Sequence, residues 1–360
     1  MKKIPVILLL IISCPTVFSQ DKEFVLLGKV IDSTTRLPLA NASAFCQSTT
    51  HGTVSNSEGL FYMRLPGGGY DLVISYTGYE KRIIRISNKQ SVADTLLVEL
   101  SKEDKTLAEV AVVASNEVAD GWVKYGQFFM DNFIGTSPNV SQCKLQNPEV
   151  LHFFYTKKRN RLKVTTKEDL IVINNALGYK IHYQLDSFSY DYNTSISQYT
   201  GSPLFEEMDT TSDIKTTWKK NRAHTYLGSR LHFMRAFRDS TVANEGFIVE
   251  KLDDDPQSVN GTIIKDLYNN NDYMVDSNGV NINWKGRYRI SYKSVMPDKK
   301  FLADYNLPLN SRYQVTVLDV ADQFVIEENG YFYEQYDVTN NGYWAWKKLA
   351  ELLPYDYKFE

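Results

Sequence analysis

Cysteine is scarce in this chain: 360 residues hold three, Cys14, Cys46 and Cys143. Cys14 falls in the apolar opening, and the other two stand in separate predicted regions. That supply indicates no disulfide framework, and buried free thiols are the expectation for Cys46 and Cys143. Histidine is nearly as sparse, with His51, His152, His182, His224 and His232, and no pair has the His-Glu-x-x-His spacing of a helical zinc site. There is no Gly-x-Ser-x-Gly elbow to raise a nucleophile. The run Gly67-Gly68-Gly69 joins two strand-like segments rather than a strand and a helix, so it does not read as a phosphate loop. A dominant charge is also missing. Forty basic and 43 acidic residues leave a net charge of -3, which gives no field to gather nucleic acid. After the opening segment no apolar run is long enough for a spanning helix. No catalytic residue, metal ligand or cofactor site is therefore assigned.

What the chain does have begins at its start. Lys2 and Lys3 precede a nearly continuous apolar stretch over residues 4–12, and small residues follow up to Gln20. Residues 1–20 read as a secretory signal peptide, which makes the mature chain an exported one. Two processing routes stay open: cleavage beside Gln20, which removes Cys14, or lipidation of Cys14 in the loose lipobox Ile11-Ile12-Ser13-Cys14. Aromatic residues are plentiful, with 24 Tyr, 18 Phe and 5 Trp. They suit strands and binding faces alike.

Residues 24–100 alternate apolar and polar positions in short runs separated by turn residues. Asp32-Ser33 before Pro38 is one turn, where side-chain oxygens bond back to backbone amides and Pro fixes φ. Asn56-Ser57-Glu58-Gly59 and Pro66-Gly67-Gly68-Gly69 are others. Strands at this spacing predict an all-β seven-stranded sandwich. The order Gly28-x-Val30-x-Asp32, Pro38-Leu39-x-x-Ala42, Gly52-Thr53-Val54, Glu58-Gly59-x-Phe61, Leu65-Pro66-Gly67-x-x-Tyr70 and Ser75-Tyr76-x-Gly78-Tyr79 resembles the carboxypeptidase-D-regulatory-like domain of Bacteroidota, a transthyretin-like sandwich. The resemblance implies a module placed ahead of outer-membrane glycan transporters and other envelope proteins, without peptidase activity of its own. It places the chain in the periplasm or at the outer membrane, with an envelope protein or a glycan as partner. Asn56 stands where the family usually has Asp, which weakens any reading of that loop as a cation site.

Residues 101–119 read as a linker or strap, with an apolar run at 110–113. Residues 120–360 read as an α+β domain, an antiparallel sheet with covering helices. The spacing of Trp122, Tyr125, Phe129 and Phe133 predicts a helix over 120–134. Strands follow at 150–155, 161–165, 170–174, 180–185 and 188–192. A single long helix is expected over 214–238, its stripe formed by Trp218, Ala223, Leu227, Leu231, Met234 and Phe237, with Gly228 inside it. The acidic residues Glu206, Glu207, Asp209 and Asp213 are expected to cap and solvate its amino end. Residues 313–318 and 323–328 are expected to pair, and 343–353 to form a terminal helix. This second region resembles uncharacterised Bacteroidota envelope proteins through Asn147-Pro148-Glu149-Val150-Leu151, Asn175-Ala176-Leu177-Gly178-Tyr179 and Gly342-Tyr343-Trp344. That resemblance brings no reaction with it.

One cluster is dense in partner-capable side chains: Trp218, Asn221, Arg222, Tyr226, Ser229 and His232. It holds either a ligand or an internal hydrogen-bond network. The function expected is a non-catalytic cell-envelope binding or assembly module, with the sandwich as spacer or docking unit. The alternatives are a purely structural envelope protein and a hydrolase of glycan or peptide.

Overall fold

The structure, a computed structural model, describes residues 23–88, 95–103, 116–255, 258–276 and 279–359. The signal segment with Cys14 and the apolar run at 110–113 lie outside the described residues.

Seven strands build the amino-terminal unit: β1 (Phe24–Asp32), β2 (Ser43–Cys46), β3 (Gly52–Val54), β4 (Leu60–Leu65), β5 (Gly69–Ser75), β6 (Arg82–Ser87) and β7 (Leu96–Leu100). They form two sheets, β4-β1-β7 and β3-β2-β5-β6, giving the transthyretin-like sandwich. Period-two alternation sends Leu26, Val30, Phe61, Met63, Leu65 and Val98 inward to meet Ala44, Cys46, Leu72 and Ile74 of the other sheet. Neighbouring strands run antiparallel except β1 and β7, which pair in parallel with Val30 opposite Val98. The first turn forms as its sequence dictates. The Asp32 carboxylate accepts from the backbone N–H groups of Thr34 and Thr35 and from the Tyr79 hydroxyl, at 2.8, 2.7 and 2.6 Å.

The second region mixes helices with antiparallel sheets and has two cores. Helix α1 (Gly121–Phe133) precedes β8 (Cys143–Leu145), β9 (His152–Thr156), β10 (Arg161–Thr165), β11 (Leu170–Asn174), β12 (Tyr179–Asp191) and β13 (Ile196–Glu207). Phe129 and Phe133 of α1 pack on Phe153, Tyr183 and Phe188 of this sheet. The two strands expected at 180–185 and 188–192 are one strand. β12 carries a bulge between Leu185 and Ser187, so its first half pairs with β11 and its second with β10.

The second core gathers around β15-β14-β18-β19-β21, made of β14 (Phe247–Leu252), β15 (Gly261–Ile263), β18 (Gly286–Tyr292), β19 (Gln314–Val320) and β21 (Val338–Gly342). A small sheet of β16 (Tyr273–Asp276), β17 (Gly279–Ile282) and β20 (Phe324–Ile326) lies beside it. The pairing expected between 313–318 and 323–328 does not form: β19 lies between β18 and β21, and β20 pairs with β17. Short helix α4 (Lys299–Asp304) precedes β19.

Two expected helices are broken, for one reason: their residues serve different surroundings. In place of a helix over 214–238 there are α2 (Ser212–Tyr226) and α3 (Arg230–Arg238). The break is at Gly228, whose φ of 75° only glycine adopts readily. Trp218 of α2 sits on the turn before β12, whereas Phe233 and Phe237 of α3 enter the second core. Likewise α5 stops at Tyr343–Trp346. The chain then turns, so that Tyr343, Trp344 and Trp346 fill one core and Leu349 and Ala350 the other.

Candidate functional site

The six residues singled out in the sequence separate into two groups. Three of them grip consecutive carbonyls in the turn between β11 and β12. The Trp218 indole N–H donates to the Asn175 carbonyl at 2.7 Å, the Asn221 amide to Ala176 at 2.8 Å, and the Arg222 Nε–H to Leu177 at 2.7 Å. Arg222 also reaches Gly178 O and the Glu207 carboxylate, and its guanidinium lies 3.9 Å from the centre of the Tyr179 ring. Helix spacing makes this geometry: positions 218, 221 and 222 share one face. Gly178 lets the turn come close, since a Cβ there would lie 2.2 Å from the Trp218 ring.

The other three surround the helix break. Ser229 caps α3 by accepting from the His232 N–H, the Gly228 N–H donates to His232 Nδ1, and His232 Nε2 meets Glu245 at 3.2 Å. With Nδ1 accepting, the ring proton sits on Nε2 and the ring is neutral. Burial lowers the His232 pKa, and Glu245 only partly opposes this. Tyr226 packs against His232 and against Tyr357 and Phe359. His224 and His232 stand on different helices, which ends any common helical face for them.

The acidic run is also placed differently from expectation. Glu206 and Glu207 end β13 and do not cap the helix. Glu206 pairs with Lys180 at 3.1 Å and His182 at 3.2 Å, and Glu207 pairs with Arg222 at 2.7 Å. Asp209 pairs with Lys215, and Asp213 lies in the first turn of α2.

A cleft of about 440 Å³ opens where the outer face of the β3-β2-β5-β6 sheet meets β12 and β13. Phe45 and Leu204 line it with apolar surface, and Asp169, His182, Glu206 and Glu207 with polar groups. Around it the sandwich is joined to the second region by backbone bonds. Ser48 N–H donates to Pro203 O, Phe205 N–H to Thr49 O, and Tyr355 N–H to Ser48 O, at 2.6, 2.9 and 2.8 Å. Side chains add to the junction: Gln184 to Ser75, Lys81 to Asp186, and the Asp356 carboxylate to the Thr50 N–H and hydroxyl. Asp169 carries no linear signal, because only folding brings it to the hairpin in which Phe45 lies opposite Gly52.

Among the described residues no group of three or more His, Cys, Asp or Glu side chains is arranged to hold a metal ion, and no helix is long and apolar enough to cross a membrane. No curated protein matches the chain. Among solved structures it has a likeness to a 9R-lipoxygenase from Cyanothece PCC8801, at 8% identity and a TM-score of 0.14. The match covers 61% of this chain and 48% of the enzyme, so the chain spans about half the enzyme's length. A TM-score that low carries no inference about fold or chemistry. The sandwich is different: residues 26–112 match the family model of the CarboxypepD_reg-like domain.

Proposed function

We propose that this chain is an exported, non-catalytic cell-envelope module that assembles with another envelope protein, its sandwich serving as the docking unit. The domain matched over residues 26–112 is consistent with a structural or binding role. The observation that carries the reading is the outward face of the β4-β1-β7 sheet. Val25 and Leu27 of β1, Leu60 and Tyr62 of β4, and Leu97 of β7 are each 38–49% exposed there. They are neighbours by register, since Leu27 lies opposite Tyr62, and Lys29 lies opposite both Leu60 and Leu97. An apolar strip of this kind, with Lys29 among it, suits the surface of a folded protein that has apolar residues at its centre. The opposite sheet is already held by the second region. That favours a fixed docking unit over a loose spacer.

A hydrolase reading would place its two carboxylates in the cleft, at Asp169 and Glu206. Glu206 is engaged by both Lys180 and His182, which leaves it poorly disposed to act as a nucleophile or base.

The test is capture from envelope extracts by the mature chain, followed by reassembly with the purified partner. Wild type is expected to retain a partner that the double variant Leu27→Lys, Tyr62→Lys loses, with both proteins melting at the same temperature. Equal retention by the two would remove the docking reading. Mass spectrometry of the mature amino terminus tests export, and an unprocessed chain found in the cytoplasm would overturn it.

A further inference from the structure

The cleft between sandwich and sheet has unbalanced charge. Three carboxylates line it, and two are neutralised: Glu206 by Lys180 and Glu207 by Arg222. Lys81, the other nearby ammonium, is held by Asp186. Asp169 has no ion-pair partner among the described residues. Its neighbours are the Gln184 amide and, at longer range, His182 and Lys81. Burial pushes its carboxyl above the usual carboxylate range. Beside these groups the cleft is apolar, and it stays open because residue 52 lacks a side chain. A Cβ at Gly52 would lie 3.1 Å from a Leu204 methyl and 3.2 Å from Phe45 Cβ. The volume of about 440 Å³ falls within the range of small-ligand sites.

We propose that this cleft binds a single ammonium group on an aliphatic stem, with Asp169 as counter-ion and the Gly52 backbone and Leu204 as the bed for the stem. The ligand is either a lysine side chain presented by a partner or a free alkylamine. The chemistry follows from what the cleft leaves unsatisfied. Its cations are occupied, so an anionic ligand finds no counter-charge. Phe45 is almost fully buried, so no open aromatic platform is offered to a sugar ring. An uncompensated carboxylate above apolar surface accepts a donor that brings its own positive charge.

The proposal does not rest on the docking reading, because the cleft and the exposed strip belong to opposite sheets of the sandwich. Loss of one leaves the other standing.

Calorimetric titration of the mature full-length chain tests it, with Nα-acetyl-lysine amide, butylamine and the neutral Nα-acetyl-norleucine amide as probes. At least one amine is expected to saturate below about 10 mM and to bind about tenfold or more tighter than the norleucine compound. Binding of the lysine amide alone assigns a partner's side chain, and binding of butylamine alone a free amine. Asp169→Asn should weaken the amine about tenfold, while raising the melting temperature at neutral pH by removing a desolvated charge. Gly52→Val, which keeps Asp169, should block binding by filling the bed. Absence of saturation by either amine, equal binding of the neutral compound, or unchanged affinity in Asp169→Asn would each overturn the proposal.

Discussion

Gly228 carries two constraints at once. Its backbone is left-handed at φ 75°, and a Cβ on it would stand 2.3 Å from Gln314 Oε1 and 2.5 Å from the Tyr292 ring. Gly228→Ala is therefore expected to lower stability by about 2–4 kcal/mol, the sum of αL strain and overpacking, in urea unfolding followed by circular dichroism. His232, four residues on, makes a prediction in pH. Its ordinary pKa of 6.5 is lowered in the fold because burial disfavours the imidazolium. The unfolded chain then takes up a proton near pH 6.5 that the folded chain refuses. The stability from the neutral ring is full above that pH and declines as pH falls toward the lower folded value. Between pH 7 and pH 5 the wild type should lose more stability than His232→Gln, compared by chemical unfolding at each pH. At this scale the sequence was only partly legible. Asp32 announced its turn, because Asp beside Ser before a Pro has few other uses. Gly228 did not, because a glycine at helical spacing looks the same whether the helix passes through it or stops there.

The pair α2 and β12 illustrates the scale of elements. Helix α2 has few buried side chains, Trp218, Thr225 and Tyr226. It is held instead by four donors aimed at the carbonyls of residues 175–178. Arg222→Lys keeps the charge but gives up the fork that reaches Leu177, Gly178 and Glu207 together. It should cost about 1–2 kcal/mol and speed amide hydrogen exchange in α2 and the 175–178 turn, with α3 unaffected. If α3 exchanged faster to the same degree, the two helices would be one unit. Periodicity picked out Trp218, Met234 and Phe237, which are buried, passed over Thr225, Tyr226 and Phe233, which are buried too, and erred in joining the two helices. It reports which side is buried, not whether the core on that side is the same one at each end. The same limit applies to 343–353, and to the expected pairing of 313–318 with 323–328. Adjacent strand-like segments invite a hairpin, whereas the partners chosen, β21 and β17, depend on long-range packing.

At the scale of the whole molecule, the sandwich and the second region share a hydrogen-bonded junction. The chain should unfold in one calorimetric transition, and two well-separated transitions in wild type would contradict this. Asp356→Ala removes the acceptor of the Thr50 N–H and hydroxyl. It should raise amide exchange over residues 47–52 by about tenfold while leaving the sandwich core protected. The sandwich was legible from its turns and alternation, and residues 26–112 match the model of the CarboxypepD_reg-like domain. The junction was not, because Ser48, Pro203 and Tyr355 meet only after three segments have folded.

That junction makes the order of synthesis matter. Residues 355–357 fasten the edge at Ser48–Thr50 and also receive the Arg235 guanidinium on the carbonyls of Tyr355 and Tyr357. The clasp is thus translated some three hundred positions after the loop it closes. A product cut short before residue 355 would keep the core of its first domain and lack the bonds that fasten its edge at Ser48 and Thr50.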